Sequence, residues 1–123
     1  MYYFSFEKLE VWNKSRAFVS DIYTISKKFP DEEKFGLTNQ VRRAAVSVSA
    51  NIAEGVSRIS KKDQANFSQF SFSSLMEVLS HLYIAHDQGY IEQEDMATFK
   101  KQIVQLSKML SGLRKSQTLN LKP

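Results

Sequence analysis

The sequence has no cysteine, and it has only four glycines and two prolines among its 123 residues. Without cysteine, a disulfide scaffold, a zinc site with cysteine ligands and a thiol nucleophile are excluded, and a reducing cytoplasm is the expected compartment. No apolar run approaches the roughly 20 residues of a membrane span, and the first residues do not resemble a secretory signal. We therefore expect a cytoplasmic protein that makes no contact with a membrane.

Sequence motifs for catalysis, cofactors and metals are missing as well. The glycines are isolated, so they form no phosphate-binding loop, and no serine lies in a nucleophile elbow. The two histidines, His81 and His86, diverge by about 140° on a helix and cannot share a metal ion. Glu77 lies one turn before His81, a spacing that favours a surface hydrogen bond over an acid–base pair. We expect no catalytic residue, cofactor, metal or small-molecule substrate.

The residues that are present favour a helical domain. Apolar residues make up 42% of the chain and charged residues 24%, which is typical of a folded globular protein. The apolar spacing predicts helices over 6–28, 37–56, 60–88 and 92–115, with Pro30, Gly55 and Gly89 near their ends. Short connections between consecutive helices favour antiparallel packing of those helices. The sequence thus predicts an all-α, up-down-up-down antiparallel four-helix bundle over residues 1–115, followed by a frayed tail over 116–123.

The first three predicted helices, of which the third is an example, have wider apolar faces than the core of a single four-helix bundle needs. The fourth helix has one core stripe, formed by Phe99, Ile103, Leu106, Leu110 and Leu113. In the third helix, a core stripe of Phe72, Leu75, Leu79, Leu82 and Tyr83 leaves Phe67, Phe70 and Val78 pointing elsewhere. Aromatic residues outside the core predict an interface, and hence a homo-oligomer. The alternative is a single copy with broader buried faces.

Polar residues form a stripe along the second predicted helix. They recur every three or four residues and comprise Gln40, Arg43, Ser47, Asn51 and Glu54, with Arg42 beside them. A stripe of this kind between apolar arcs is either a buried hydrogen-bonded network that sets the register of a partner or a solvated face. Arg42, Arg43, Ser47, Asn51, Glu54, Phe67 and Phe70 are therefore the candidate interface or network residues.

Positive charge gives the second set of candidate residues. The net charge is +4. Lys101, Lys108 and Lys115 repeat every seven residues on the face of the fourth helix opposite its core, and Lys100 is nearby. Arg58, Lys61 and Lys62 form a second cluster between the second and third helices. These seven residues are the candidate nucleic-acid contacts, because a ring of copies would combine them into a surface able to neutralise phosphates. The alternative is a helix exterior that lysine merely keeps soluble.

Three blocks of sequence resemble a known bacterial family. They are Phe6-Glu7-Lys8-Leu9-Glu10-Val11-Trp12, Gln40-Val41-Arg42-Arg43-Ala44-Ala45-Val46-Ser47, and Asn51-Ile52-Ala53-Glu54-Gly55 with Arg58. The chain resembles the four-helix-bundle proteins encoded in intervening sequences of bacterial 23S ribosomal RNA genes. The resemblance implies a homopentameric ring without established catalytic activity. It also implies kinship with the accessory protein of diversity-generating retroelements, which engages nucleic acid and a reverse transcriptase through a basic surface.

Together these features predict a non-enzymatic homo-oligomer that binds RNA or a ribonucleoprotein through basic residues. The pentameric stoichiometry in this prediction comes from the resemblance alone. The alternative function is a protein–protein adaptor or scaffold that makes no contact with nucleic acid.

Overall fold

The computed structural model describes residues 2–119, which contain four α-helices and no strand. The helices are α1 (Glu10–Ser26), α2 (Leu37–Val56), α3 (Lys61–Asp87) and α4 (Gln93–Thr118). Short 3-10 helical turns at Ser5–Lys8 and Asp31–Glu33 precede α1 and α2. The contact between α2 and α3 is the most extensive, and that between α1 and α4 is the smallest of the neighbouring pairs. The predicted antiparallel four-helix bundle is confirmed.

The helix ends of the second half follow local hydrogen-bonding chemistry. Ser60 caps α3, since its hydroxyl accepts a hydrogen bond from the Asp63 amide at 3.0 Å. At the start of α4, the Asp95 carboxylate accepts a hydrogen bond from the Glu92 amide at 2.9 Å. Gly89 follows α3 with a φ of 79°, a conformation that favours glycine. The predicted position of Gly89 near the end of the third helix is therefore confirmed.

The first helix begins four residues later than predicted. Residues Ser5–Lys8 form a separate turn, and Leu9 is extended with φ −76° and ψ 126°. The Glu7 carboxylate accepts a hydrogen bond from the Phe4 amide at 2.7 Å. The Asn13 side chain donates to the carbonyls of Glu7 and Leu9, both at 3.0 Å. These bonds satisfy the backbone on both sides of Leu9, so α1 begins at Glu10.

The fourth helix continues into the predicted tail. It runs to Thr118, and Gln117 is only 4% exposed. The Gln117 side-chain oxygen accepts a hydrogen bond from the Ser68 hydroxyl at 2.6 Å, which ties this turn to α3. The prediction of fraying from residue 116 is therefore wrong for 116–118. Residues 120–123 of the predicted tail lie outside the described part of the chain.

The core of α3 is rotated relative to the predicted stripe. Leu75, Val78, Leu82 and Ala85 are completely buried, whereas Tyr83 is 43% exposed. Placing Val78 outside the core and Tyr83 within it was wrong. On the observed core face, Ser71 is buried and its hydroxyl donates a hydrogen bond to the Val48 carbonyl of α2 at 2.7 Å. A serine therefore lies on the core-facing line of α3, where a hydrophobic pattern does not register it.

Gly55 lies within α2 and does not terminate it. A Cβ atom at this position would be 2.7 Å from the Cβ of Phe67 and 3.4 Å from the Gln64 carbonyl oxygen. The glycine therefore allows α2 and α3 to approach closely. Its predicted role as a helix cap is replaced by a packing role.

A hydrogen bond joins the two connections at the end of the bundle farther from the N-terminus. The Tyr90 hydroxyl donates to Glu33 Oε2 at 3.0 Å, and Glu33 Oε1 accepts from the Leu37 amide at 3.1 Å. The hydrogen bond to the Glu33 carboxylate, with smaller effects of burial and acidic neighbours, raises the pKa of Tyr90. Ionisation of Tyr90 would therefore weaken the link between the α3–α4 connection and the start of α2.

We expect Tyr90→Phe to remove a pH dependence of stability in the alkaline range. The pKa of Tyr90 is higher in the folded protein than in the unfolded chain. The hydrogen bond therefore contributes fully to the free energy of unfolding below the ordinary tyrosine pKa of about 10, and this contribution is lost as the pH rises through the pKa of Tyr90 in the folded protein. Urea unfolding at a series of alkaline pH values measures the effect. The control, Tyr2→Phe, changes a 78% exposed ring and should keep the wild-type dependence. Identical slopes in wild type and Tyr90→Phe would contradict the assignment.

Candidate nucleic-acid interface

Three of the predicted lysines form a row on the outer face of α4. Lys101, Lys108 and Lys115 are all exposed. Successive members are seven residues apart, which corresponds to about 10.5 Å along the helix. Within residues 2–119, no carboxylate lies within 4.0 Å of any of them. Their charges are therefore not neutralised by ion pairs with the described residues.

The row belongs to a longer segment that has no acidic residue. From Met96 to Thr118, α4 contains no aspartate or glutamate, and its five cations are all exposed: Lys100, Lys101, Lys108, Arg114 and Lys115. The segment Gln64–Met76 of the neighbouring helix α3 is uncharged. Cations and acids are balanced across the second half of the chain, but the fold separates them. We call the exposed side of α4 between Met96 and Thr118 the α4 basic face.

Arg114 is the member of this face that the sequence analysis missed. It does not follow the seven-residue repeat of the lysines, so periodicity did not select it. The absence of acidic residues after Asp95 was the signal that could have identified it. Arg114 and Lys115 lie beside a cavity of about 440 Å³ between α3 and α4. The cavity, which we call the α3–α4 cavity, is also lined by Ser68, Gln69, Phe72, Leu110, Ser111 and Thr118.

Lys100 differs from the other lysines in being held by a neighbour. Its Nζ donates to the Tyr83 hydroxyl at 3.1 Å and lies 5.9 Å from the centre of that ring. The contact joins α4 to α3 at the end of the α4 basic face nearer Gln93. It also explains the exposed position of Tyr83, whose hydroxyl finds a partner at the surface.

The predicted cluster of Arg58, Lys61 and Lys62 has a different electrostatic setting. Arg58 forms an ion pair with Glu54 at 2.9 Å and lies 4.6 Å from the centre of the Phe67 ring. Lys61 and Lys62 are exposed in the first turn of α3, next to Asp63. Glu54 and Asp63 line one groove together with Arg58. This cluster is therefore of mixed charge, unlike the α4 basic face.

Some residues of the polar stripe of α2 form hydrogen bonds to other side chains, and others are exposed to solvent. The hydroxyls of Ser47 and Ser74 are 2.9 Å apart, and the Asn51 amide donates to the Ser47 hydroxyl at 2.9 Å and to its carbonyl at 2.8 Å. This half-buried network joins α2 to α3 within one chain. Arg43 and Glu54 are exposed. The hydrogen-bonded part of the stripe thus packs two helices of the same chain, the exposed part is solvated, and a role in setting the register of a partner stays a prediction.

Arg42 connects α2 to α1. Its Nε donates to the Ser26 hydroxyl at 2.7 Å, its Nη2 donates to the Tyr23 carbonyl at 3.3 Å, and the guanidinium lies 4.8 Å from the centre of the Tyr23 ring. Three interactions with one helix end fix the side chain. Arg42 therefore has a structural role inside the chain.

The two candidate interface aromatics also differ. Phe67 is half-buried where α3 passes Gly55, and its ring meets that of Phe70 edge to face with centroids 5.5 Å apart. Phe70 is 52% exposed. Tyr23 and Val46 are 41% and 42% exposed on α1 and α2. Ile84 on α3 and Val104 on α4 are 45% and 44% exposed, so apolar side chains outside the core are present on all four helices.

The predicted histidine–carboxylate hydrogen bond forms with the histidine largely buried. His81 Nε2 lies 3.2 Å from Glu77 Oε2, and the side chains of His81 and Glu77 are 13% and 57% exposed. Across residues 2–119, no three histidine or acidic residues are placed to hold a metal ion. None of the helices in this part of the chain is long and apolar enough to span a membrane.

Comparison with known proteins agrees with this architecture. The family model of the 23S rRNA-intervening sequence protein matches residues 7–112. The chain belongs to that family. It is also similar to the crystal structure of a protein with unknown function from the S23 ribosomal protein family of Bacteroides thetaiotaomicron VPI-5482. That comparison gives a TM-score of 0.78 at 25% identity, covering 85% of this chain and 98% of the other. No curated protein matches the sequence.

The region matched by the 23S rRNA-intervening sequence protein family covers most of the described structure. The match begins within the turn that precedes α1 and ends in α4 at Gly112. Arg114 and Lys115, beside the α3–α4 cavity, lie just beyond it. The cavity is therefore lined partly by residues of the matched region and partly by residues beyond its end.

Proposed function

We propose that the protein is a non-enzymatic homo-oligomer that binds RNA, free or within a ribonucleoprotein, through the α4 basic face. The observation that carries the proposal is the segregation of charge: five exposed cations and no acid between Met96 and Thr118. A surface of one sign attracts a polyanion and releases its condensed counterions on binding. The family's connection with 23S rRNA supports RNA as that polyanion.

Self-association supports the proposal because it multiplies the basic face. Val46 on α2 and Phe70 and Ile84 on α3 are 42%, 52% and 45% exposed, so they leave apolar surface that the described chain does not cover. Burial of such surface between copies is favourable. Each additional copy adds a further α4 basic face to the same particle, and simultaneous contacts raise the overall affinity. We propose five copies on the strength of the family resemblance.

The test combines RNA binding with sedimentation velocity. We expect the protein to sediment as an assembly larger than one copy and to bind structured RNA with an affinity that falls steeply as salt rises. The variant Lys101→Gln/Lys108→Gln/Lys115→Gln should bind at least about tenfold more weakly at moderate salt. In a plot of log affinity against log salt concentration, the slope for this variant should be smaller in magnitude by about 2 to 3, because each of the three lost phosphate contacts contributes about 0.7 to 0.9 to the slope.

A matched control removes the same charge elsewhere. Lys8, Lys27 and Lys34 are exposed on elements other than α4: Lys8 lies in the turn before α1, and Lys27 and Lys34 lie around the connection between α1 and α2. Changing all three to glutamine should leave the affinity within about twofold of wild type, as expected for charges outside the phosphate contacts. Equal losses in the two variants would show that net charge acts without a specific face. Absence of RNA binding at low salt would reject the proposal in favour of a protein–protein adaptor.

A further inference from the structure

The α3–α4 cavity is a half-open groove of about 440 Å³ between the two helices. It opens beside the α4 basic face, because Arg114 and Lys115 belong to both. A chain of phosphates that follows the basic face would therefore pass the mouth of this cavity.

Cations line one side of the cavity. Arg114 and Lys115 are exposed, and no carboxylate of the described chain lies within 4.0 Å of either. The adjoining segment of α3 is uncharged. A guanidinium can donate two parallel hydrogen bonds to a phosphate, and an ammonium adds a point charge. This side of the cavity suits the phosphate group of a nucleotide.

The interior of the cavity combines an aromatic ring with polar groups. Phe72 is half-buried and packs on the core, so its ring is held by its surroundings while one part lines the cavity. The Ser68 hydroxyl donates to Gln117 at 2.6 Å, and the Thr118 hydroxyl donates to the Lys115 carbonyl at 3.1 Å. The Gln69 amide and the Ser111 hydroxyl make no hydrogen bond to another described residue, so they can bind the edge of a base.

We infer that the α3–α4 cavity accepts one unpaired nucleotide of a bound RNA, with its phosphate on Arg114 and Lys115 and its base against Phe72. The inference rests on the proposed function. Bases in a regular duplex are stacked inside it and cannot enter the cavity, whereas an unpaired base can leave the strand and stack on an aromatic ring. The protein therefore selects single-stranded or looped RNA over duplex RNA of the same length.

Fluorescence anisotropy with two labelled RNAs tests this selectivity. One probe is a single strand of about 12 nucleotides, within the range of known single-strand sites, and the other is the duplex of the same sequence. Wild type should bind the single strand at least about fivefold more tightly at the same salt, in line with the stacking of one base. Phe72→Leu keeps an apolar side chain but removes the ring, so it should abolish the preference and leave duplex binding unchanged.

Arg114→Gln provides a second variant that does not depend on core packing, since Arg114 is exposed. It should weaken single-strand binding more than duplex binding. The matched control Lys108→Gln removes one charge from the α4 basic face outside the cavity, and it should weaken both by the same factor. A preference unchanged in both Phe72→Leu and Arg114→Gln would overturn the inference.

The remaining outcomes separate the inference from the proposed function. Equal affinity of wild type for the two RNAs would refute the cavity's role and leave RNA binding by the α4 basic face intact. Binding of neither RNA would refute both. Adenosine monophosphate alone should bind weakly, in the millimolar range, because it lacks the neighbouring phosphates that the basic face contacts. Micromolar binding of adenosine monophosphate would assign the cavity to a free nucleotide and overturn the inference.

Discussion

Replacement of Leu82 with alanine is expected to lower the free energy of unfolding by about 2–5 kcal/mol. Leu82 is completely buried in the core of α3. Its removal costs the transfer free energy of the lost methyl and methylene groups and leaves a cavity between packed helices. Because domains of this size are stable by only about 5–15 kcal/mol, the loss is a large part of the total. Urea unfolding followed by circular dichroism measures the change.

Leu119→Ala is the matched control for Leu82→Ala. The chemical change is the same, but Leu119 is 71% exposed, so the free energy of unfolding should change by no more than about 0.5 kcal/mol. Both variants must be compared with wild type at one protomer concentration, because association of folded copies stabilises them by mass action. Similar losses at the two positions would contradict the described core.

Gly55→Ala is expected to destabilise the protein by about 1–3 kcal/mol, although alanine is the better helix former. The new Cβ would stand 2.7 Å from the Cβ of Phe67, an atom fixed close to the α3 backbone. Relief of this contact requires α2 and α3 to move apart along their extensive interface. That movement would also lengthen the hydrogen bond between Ser47 and Ser74, now 2.9 Å.

Gly112→Ala tests the same substitution where the space is open. Gly112 lies within α4, and a Cβ there would meet nothing within 4 Å. The gain in helix propensity should then stabilise the protein by up to about 1 kcal/mol. Thermal and urea unfolding of the two variants should therefore give changes of opposite sign. Stabilisation by both would show that α2 and α3 are not in close contact at Gly55.

Much of the fold could be predicted from helical periodicity. The bounds of α2 coincide with the prediction, and those of α3 differ by one residue at each end. Predictions from hydrophobic periodicity were wrong where polar side chains form hydrogen bonds that stabilise the fold. Ser71 faces the core of α3, and Asn13 bonds the backbone before α1, but neither contributes to a hydrophobic pattern.

The candidate site was predictable to a smaller extent. The face that carries Lys101, Lys108 and Lys115 follows from the geometry of a single helix. The α3–α4 cavity could not be predicted, because it depends on the relative rotation of two helices and the prediction for α3 was rotated. Gly55 illustrates the same limit: the sequence shows a glycine near a helix end, but only packing shows that it lies against Phe67.

The single sign of charge on the α4 basic face has a consequence for how molecules of this protein can meet each other. Two such helices brought face to face would place ammonium and guanidinium groups against one another, and such like-charge contact costs several kcal/mol. If copies associate as we propose, this repulsion disfavours contact through the α4 basic face and favours contact through α1, α2 and α3. The charge that attracts a foreign polyanion would thereby also orient the molecule with respect to its own copies.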